Sequence, residues 1–329
     1  MTVLYMNKKI KTIDLFAGVG GIRWGLVSTV FETKYTNDND KFCQKTYDLN
    51  FRTAKLDVRD IDQAIEDGVV PGFDFLLAGF PCQAFSIAGR RLGFEDPRGR
   101  GNLFFSIAKI LHNADPQPAG FLLENVKNLR GHDGGKTFDT IMQTLTSLGF
   151  HVGEKTVKVM NSMDYGNIPQ NRERIYIVGF KDKKHYDKFE FPKPIKLKRN
   201  FRDLLEEDVD EKYYYNDKAL YAKLKKEVIS YDTVYQWRRV YVRGNKKGVC
   251  PTLTANMGMG GHNVPIIRDK KGIRKLTPRE CFNLQGFPRK AYKLPKRLSD
   301  AALYKQAGNS VTVPVIRRIA RQIKNAIEN

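Results

Sequence analysis

FDFLLAGFPC, residues 73 to 82, decides the fold. The apolar run from Phe73 to Phe80 reads as a buried strand and Pro81 ends it. Cys82 is left at the strand's tip, where an α/β enzyme keeps its nucleophile. Residues 86 to 101 then bring four Gly and four Arg, a cationic flap directly after the thiol that implies an anionic substrate. Against this stands the commoner fate of a free cysteine, a small buried hydrophobe. Cys82 alone does not decide between the two.

Outward from this strand, short apolar runs alternate with helical patterns through the first half of the chain. Strands are expected near 11–16, 33–37, 73–78, 120–123 and 174–180, and helices near 21–30, 40–49, 103–112 and 137–148. The alternation predicts an α/β fold built on a doubly wound, mostly parallel sheet covered by helices. Ligands of such sheets bind outside the carboxyl ends of the strands. The residues there are FAGVGG after the first strand, NDND after the second, Pro81-Cys82 after the third and Glu124-Asn125 after the fourth.

From about 190 the composition shifts to Lys, Tyr and Pro, beginning with FPKPIKLKRN, and the alternation stops. We expect a catalytic and cofactor-binding domain over 1–190 and 296–329, a smaller irregular domain over 191–275, and a connecting hinge over 276–295. The irregular domain holds an amphipathic basic helix near 217–229 and the loop-like NMGMGGHN. It also holds QWRRVYVRGNKK, which carries Arg238, Arg239 and Arg243. Residues 314–327 form a terminal amphipathic helix expected to pack on the first domain.

Lys and Arg exceed Asp and Glu by 21 in 329 residues, and the pI is near 9.7. A polyanionic partner follows, nucleic acid first. No apolar stretch approaches the roughly 20 residues of a spanning helix, and the N-terminus lacks the apolar core of a signal peptide. The expectation is a cytoplasmic protein with no membrane partner. Cys43, Cys82, Cys250 and Cys281 are widely spaced, which argues against a disulfide framework and a metal site; apart from Cys82 they read as packing residues.

FAGVGG follows a strand, opens a helix and precedes Asp38 by about the spacing at which an acid reaches ribose hydroxyls. Gly18 and Gly20 let the backbone approach a ligand. Position 23 is Arg, not the small residue that closes a dinucleotide fingerprint, so a cofactor without phosphates such as S-adenosylmethionine fits better. A tight structural turn is the competing reading. Burial of Glu124 at a strand end would suit it to protonating a weak base, unless it is a capping or surface carboxylate. Arg172 and Arg174, two apart beside a strand, suit bonding to a substrate or clamping of a loop; a solvated pair with Glu173 competes.

Together DLFAGVGG (14–21), GFPCQAFS (79–86), ENV (124–126), QNRER (170–174), RECFNLQGFP (279–288) and QAGNSV (306–311) resemble, in order, the motifs of the 5-cytosine DNA methyltransferases of bacterial type II restriction-modification systems. The resemblance implies the S-adenosylmethionine-dependent methyltransferase fold, with S-adenosylhomocysteine as product and no metal. The irregular domain becomes the target-recognition domain, and PTLTAN with Thr252 resembles a Thr-Leu pair found there in relatives. It implies that Cys82 attacks carbon 6 of a flipped cytosine, Glu124 engages ring nitrogen 3, and Arg174, with Arg172 beside it, completes the catalytic set.

By the same resemblance Phe16, Gly18, Gly20, Asp38, Asp57, Asn309 and Val311 contact the cofactor. Pro81, Ser86, Asn125, Gln170, Arg238, Arg239, Arg243 and Thr252 serve the DNA. The partner implied is double-stranded DNA carrying a short cytosine-containing site, met by a monomer, with a cognate endonuclease as functional partner. Asn39 stands where many relatives place an aromatic, Asn167 is additional, and Asn283 replaces a frequent Arg. A tRNA cytosine methyltransferase and a non-catalytic DNA-binding regulator are the alternatives.

Overall fold

A computed structural model describes residues 9–27, 29–81, 103–238, 240–245, 248–259 and 264–328. Cys82, Ser86, Arg239 and the Gly/Arg-rich flap lie outside the described residues. The chain divides into two compact units. One comprises Met1–Met160, Arg174–Pro192 and Arg317–Asn329, the other Asn161–Glu173 and Lys193–Ile316.

The strands in chain order are β1 (Ile10–Leu15), β2 (Phe31–Asn37), β3 (Phe75–Gly79), β4 (Gly120–Val126), β5 (Val157–Asn161), β6 (Gln170–Asn171), β7 (Glu173–Phe180), β8 (Val234–Arg238), β9 (Tyr241–Asn245), β10 (Cys250–Pro251), β11 (Ile266–Arg268) and β12 (Ile273–Lys275). The first unit is built on a six-stranded sheet of order β2-β1-β3-β4-β7-β5. β1 runs parallel to β2 and β3, and β3 to β4, whereas β7 is antiparallel to β4. The mostly parallel α/β sheet read from the sequence is therefore present. β3 is almost entirely buried along FLLAG, as a strand covered on both faces should be. The chain moves from β1 to β2 on one side and returns to β3 on the other, so the sheet's switch point lies between β1 and β3, where such folds open a crevice.

Helices Lys41–Asn50, Leu103–Asn113 and Lys136–Ser147 match the helical periodicities. β5 and the helix Ile61–Glu66 were not read from the sequence, being short and weakly patterned. The first helix closes early, at Leu26, where Trp24 C=O takes the Val27 N–H. The core beneath the sheet gathers Ile13, Leu15, Leu76, Phe104, Phe121 and Ile177.

The second unit carries an antiparallel sheet of order β12-β11-β8-β9 and the parallel pair β10-β6. Tyr215, Leu224, Val228, Tyr235, Ile266 and Ile273 form its apolar cluster. Beside it the buried Arg274 meets Glu280 through two bonds of 2.8 Å and Asp269 at 2.6 Å. Glu280 also accepts the Thr277 and Glu206 N–H groups, which satisfies a carboxylate with no exposure at all.

In the first unit a Cβ on Gly179 would stand 2.2 Å from the Phe121 ring. Gly179→Ala should cost about 1–3 kcal/mol by overpacking. Urea unfolding should show a lower midpoint at an unchanged slope, and a wild-type midpoint would contradict the packing described.

Candidate active site

The turn after β1 is shaped by backbone that side chains resist. Phe16 has φ 55°, Gly18 φ 54° and Gly20 φ 80°. The two glycines serve different ends. A Cβ on Gly20 would strike Phe51 at 2.4 Å, whereas one on Gly18 would meet nothing within 4 Å. Gly20 is thus required by packing, and Gly18 leaves open space at the switch point. Arg23 is a brace: its guanidinium donates to Tyr47 Oη and to the Thr53 and Ala54 carbonyls and lies 4.3 Å from the Phe51 ring centroid.

Asp38, just past β2, accepts the Gly18 N–H and the Asp40 N–H, each at 2.9 Å, and so ties the two loops of the crevice together. Asp57 pairs with Asn37 in a bridge beside β2 and takes bonds from Tyr35 Oη and Arg59. Its partial burial works against the charge, but the Arg59 bonds hold the carboxyl below its usual range. Asp14, on β1, was not singled out from the sequence, where it reads as one residue of a strand. It is fully buried, and neither carboxylate oxygen has a hydrogen-bond partner. Burial pushes its pKa up to about 8; Arg23 opposes the rise and Asp38 adds to it. Open space over Gly18 and a carboxylate just past β2 fit a nucleoside cofactor.

At the neighbouring strand ends Glu124, 7% exposed, meets Arg174 Nε at 3.1 Å. The register explains the meeting. Glu124 lies opposite Tyr176 and Val126 opposite Arg174, so the two side chains are diagonal neighbours on one face. On the other flank Glu124 is level with Gly79 of β3, and a Cβ there would sit 3.6 Å from Glu124 Oε2. Asn125 donates from Nδ2 to the Phe80 carbonyl at 2.9 Å, fixing the exit of β3 just before Pro81. Carboxylate, guanidinium and carboxamide therefore converge where the chain enters the Cys82 segment.

Arg172 belongs to the second unit and acts there as a loop clamp. It is buried and donates to the Leu253, Gly308 and Ser310 carbonyls at 2.7, 3.0 and 2.6 Å. Gln170 is equally buried, giving Nε2–H to Leu284 C=O and accepting the Leu253 N–H. Thr252 donates to Asn171 C=O. Asn309 ends the helix Asp300–Asn309 exposed, and Val311 is buried. Arg238 and Arg243 are exposed on the β8–β9 hairpin. Cys43, Cys250 and Cys281 are buried, and burial raises the thiols of the last two, as expected of packing residues.

A family model described as C-5 cytosine-specific DNA methylase matches residues 10–325. The chain belongs to that family. Among relatives of this methylase, the type II methyltransferase M.Bsp6I of Bacillus sp. (strain RFL6) is 51% identical over 321 residues, covering 95% of this chain and 98% of that one. M.HaeII of Haemophilus aegyptius is 42% identical over 97% of this chain and 94% of its own. Among solved structures, Entamoeba histolytica EhMeth superimposes with a TM-score of 0.73 at 18% identity, covering 98% of this chain and all of that one. Dnmt2 of S. pombe reaches 0.72 at 19%, with the same coverage. These two establish the likeness of fold.

The methylase's Asp14 carries a pH signature. A carboxyl raised in the folded state keeps a proton that the unfolded chain sheds above about pH 4, so this contribution is complete below that value and is lost as pH rises toward about 8. Asp14→Asn should remove the loss, by a few kcal/mol at pH 8.5 relative to pH 5. Urea titrations of the ligand-free protein across that range should show the wild type weakening relative to the variant. Parallel curves would mean that Asp14 is not held protonated.

Proposed function

We propose that this protein is a type II, sequence-specific DNA (cytosine-5-)-methyltransferase that uses S-adenosylmethionine. The observation that carries the reading is the convergence of Glu124, Arg174 and Asn125 on the exit of β3, one residue before Pro81-Cys82. Carbon 5 of cytosine is too weak a nucleophile to accept a methyl group unaided. The Cys82 thiolate adds to carbon 6, forming a C–S bond while the 5,6 double bond moves to an enamine. Glu124 holds or donates a proton at ring nitrogen 3, where charge would otherwise build. Arg174 holds Glu124 and faces the carbonyl oxygen. The bound cofactor supplies an electrophilic methyl group to carbon 5. A base then takes the carbon-5 proton, the double bond reforms and the thiolate leaves.

The target base must leave the helix for this chemistry, and Pro81, Ser86 and Asn125 serve the DNA beside Cys82. Phe16, Gly18, Asp38 and Asp57 of the first unit hold the cofactor, and Gly20 packs the turn that carries Phe16 and Gly18. Residues 1–190 and 296–329 do the chemistry, 191–275 recognise the target and 276–295 connect them. Arg238 and Arg243 of the hairpin, together with Arg239 and Thr252, reach the DNA, while Arg172 and Gln170 hold loops of the second unit. The protein acts as a monomer in the cytoplasm, with an endonuclease of matching specificity as its functional partner.

Bisulfite sequencing of DNA from a host expressing the gene tests the reading directly: methylcytosine at one short site is expected, and none would overturn it. Methyl transfer to tRNA instead of DNA would point to the other enzyme class. Cys82→Ser should reduce transfer to background while cofactor binding persists, because an alcohol cannot replace the thiolate. A covalent adduct with 5-fluorocytosine DNA should form with the wild type alone. Glu124→Gln should slow single turnovers by about 100-fold or more; an unchanged rate would leave the carboxylate with a structural role.

Exchanging 191–275 for the same region of a relative with another target should change the methylated sequence while Cys82-dependent transfer continues. An active chimera that keeps the original site would move base readout elsewhere.

A further inference from the structure

Phe191 to Arg202 contains five cations and no acid. Its centre, Lys193 to Asn200, has no regular secondary structure, yet its backbone is pinned. The Ile195 N–H donates to the Asp164 carbonyl at 2.6 Å. The Lys198 and Arg199 N–H groups both donate to Asn167 Oδ1, at 2.8 and 3.2 Å. Asn167 is the residue that the sequence reading set apart as additional. It caps the short helix Ser162–Gly166 in the left-handed region, at φ 51°, a conformation that Asn tolerates and most residues resist. Asn200 then caps the following turn by accepting the Arg202 N–H.

The pinned segment presents charge that no acid among the described residues neutralises. Lys196, Lys198 and Arg199 are exposed, and Leu197 between them is half-buried, so the three charges stand at the surface. Some cations of this unit do have acids: Arg202 pairs with Asp232, Lys212 with Asp300, Lys271 with Asp208. Among the described residues Lys196, Lys198 and Arg199 form no ion pair, and Asp164, exposed close by, pairs with none of them.

Like charges held together without counter-ions repel each other, and a polyanion relieves that repulsion. We propose that Lys196, Lys198 and Arg199, held in place by Asn167, form a phosphate-contacting strip for the backbone of the duplex DNA that the enzyme methylates. The proposal rests on the reading of the protein as a DNA methyltransferase. Because phosphate contacts position a protein without reading bases, the strip sets affinity and leaves target choice to other residues.

The test is DNA binding as a function of salt, with the full chain, on one duplex that carries the target site and one that lacks it. In the variant Lys196→Gln/Lys198→Gln/Arg199→Gln the log-log slope should become shallower by between about 1 and about 3, at roughly 0.9 per lost phosphate contact. Affinity should fall by the same factor on both duplexes, with cofactor affinity unchanged. A wild-type slope in the triple variant overturns the strip while leaving the methyltransferase reading intact; a wild type that neither binds nor methylates DNA overturns that reading first. Asn167→Gly keeps the left-handed turn but removes the acceptor, so affinity should fall several-fold at a nearly unchanged slope. Wild-type affinity in that variant would overturn the role given to Asn167.

Discussion

The ion pair between Glu124 and Arg174 is the constraint on which the carboxyl end of the central strands depends. A carboxylate buried at a strand end is costly without a partner, and its partner lies 50 residues further along the chain. The antiparallel β7 brings it there: laid against β4 with Val126 opposite Arg174, it sets the guanidinium diagonally beside Glu124. A shift of one residue would turn Arg174 to the other face. The strand that breaks the parallel pattern is thus the one that completes the Glu124–Arg174 pair, and β3, on the opposite flank of β4, ends at the same edge.

Irregular backbone near these sites is held by side chains that reach for main-chain groups. Asn125 takes the Phe80 carbonyl and Asp38 the Gly18 N–H. In the second unit Arg172 gathers three carbonyls, Gln170 bridges Leu253 and Leu284, and Asn167 takes two N–H groups. Loops that must stay open to a ligand cannot satisfy their backbone within helices or sheets, and buried amide and guanidinium groups do so instead. Glu280 does the same in the second unit with the Thr277 and Glu206 N–H groups, while its charge is matched by Arg274.

Much of this is legible in the sequence. FLLAG and FLLENV announced buried strands, and the polar residues after them marked the carboxyl edge where ligands bind. The limits of reading were physical. Asp14 looked like any strand residue, because nothing local shows that its oxygens lack partners. Arg172 and Arg174 looked alike in QNRER, since spacing along a chain does not say which guanidinium meets carbonyls and which meets a carboxylate. β5 and the short helix at 61–66 carried too little periodicity to stand out from their surroundings.

By itself the sequence determined the class of fold, the family and the chemistry-bearing residue types, because hydrophobic periodicity and ordered motifs are local properties of the chain. Only the tertiary structure decided which of those residues meet. The pairing of Glu124 with Arg174, the orphaned burial of Asp14, the diversion of Arg172 into a clamp and the pinning of the cationic segment by Asn167 all join positions distant in sequence. Such contacts are set by strand register and by the burial of polar groups, and neither exists until the chain has folded.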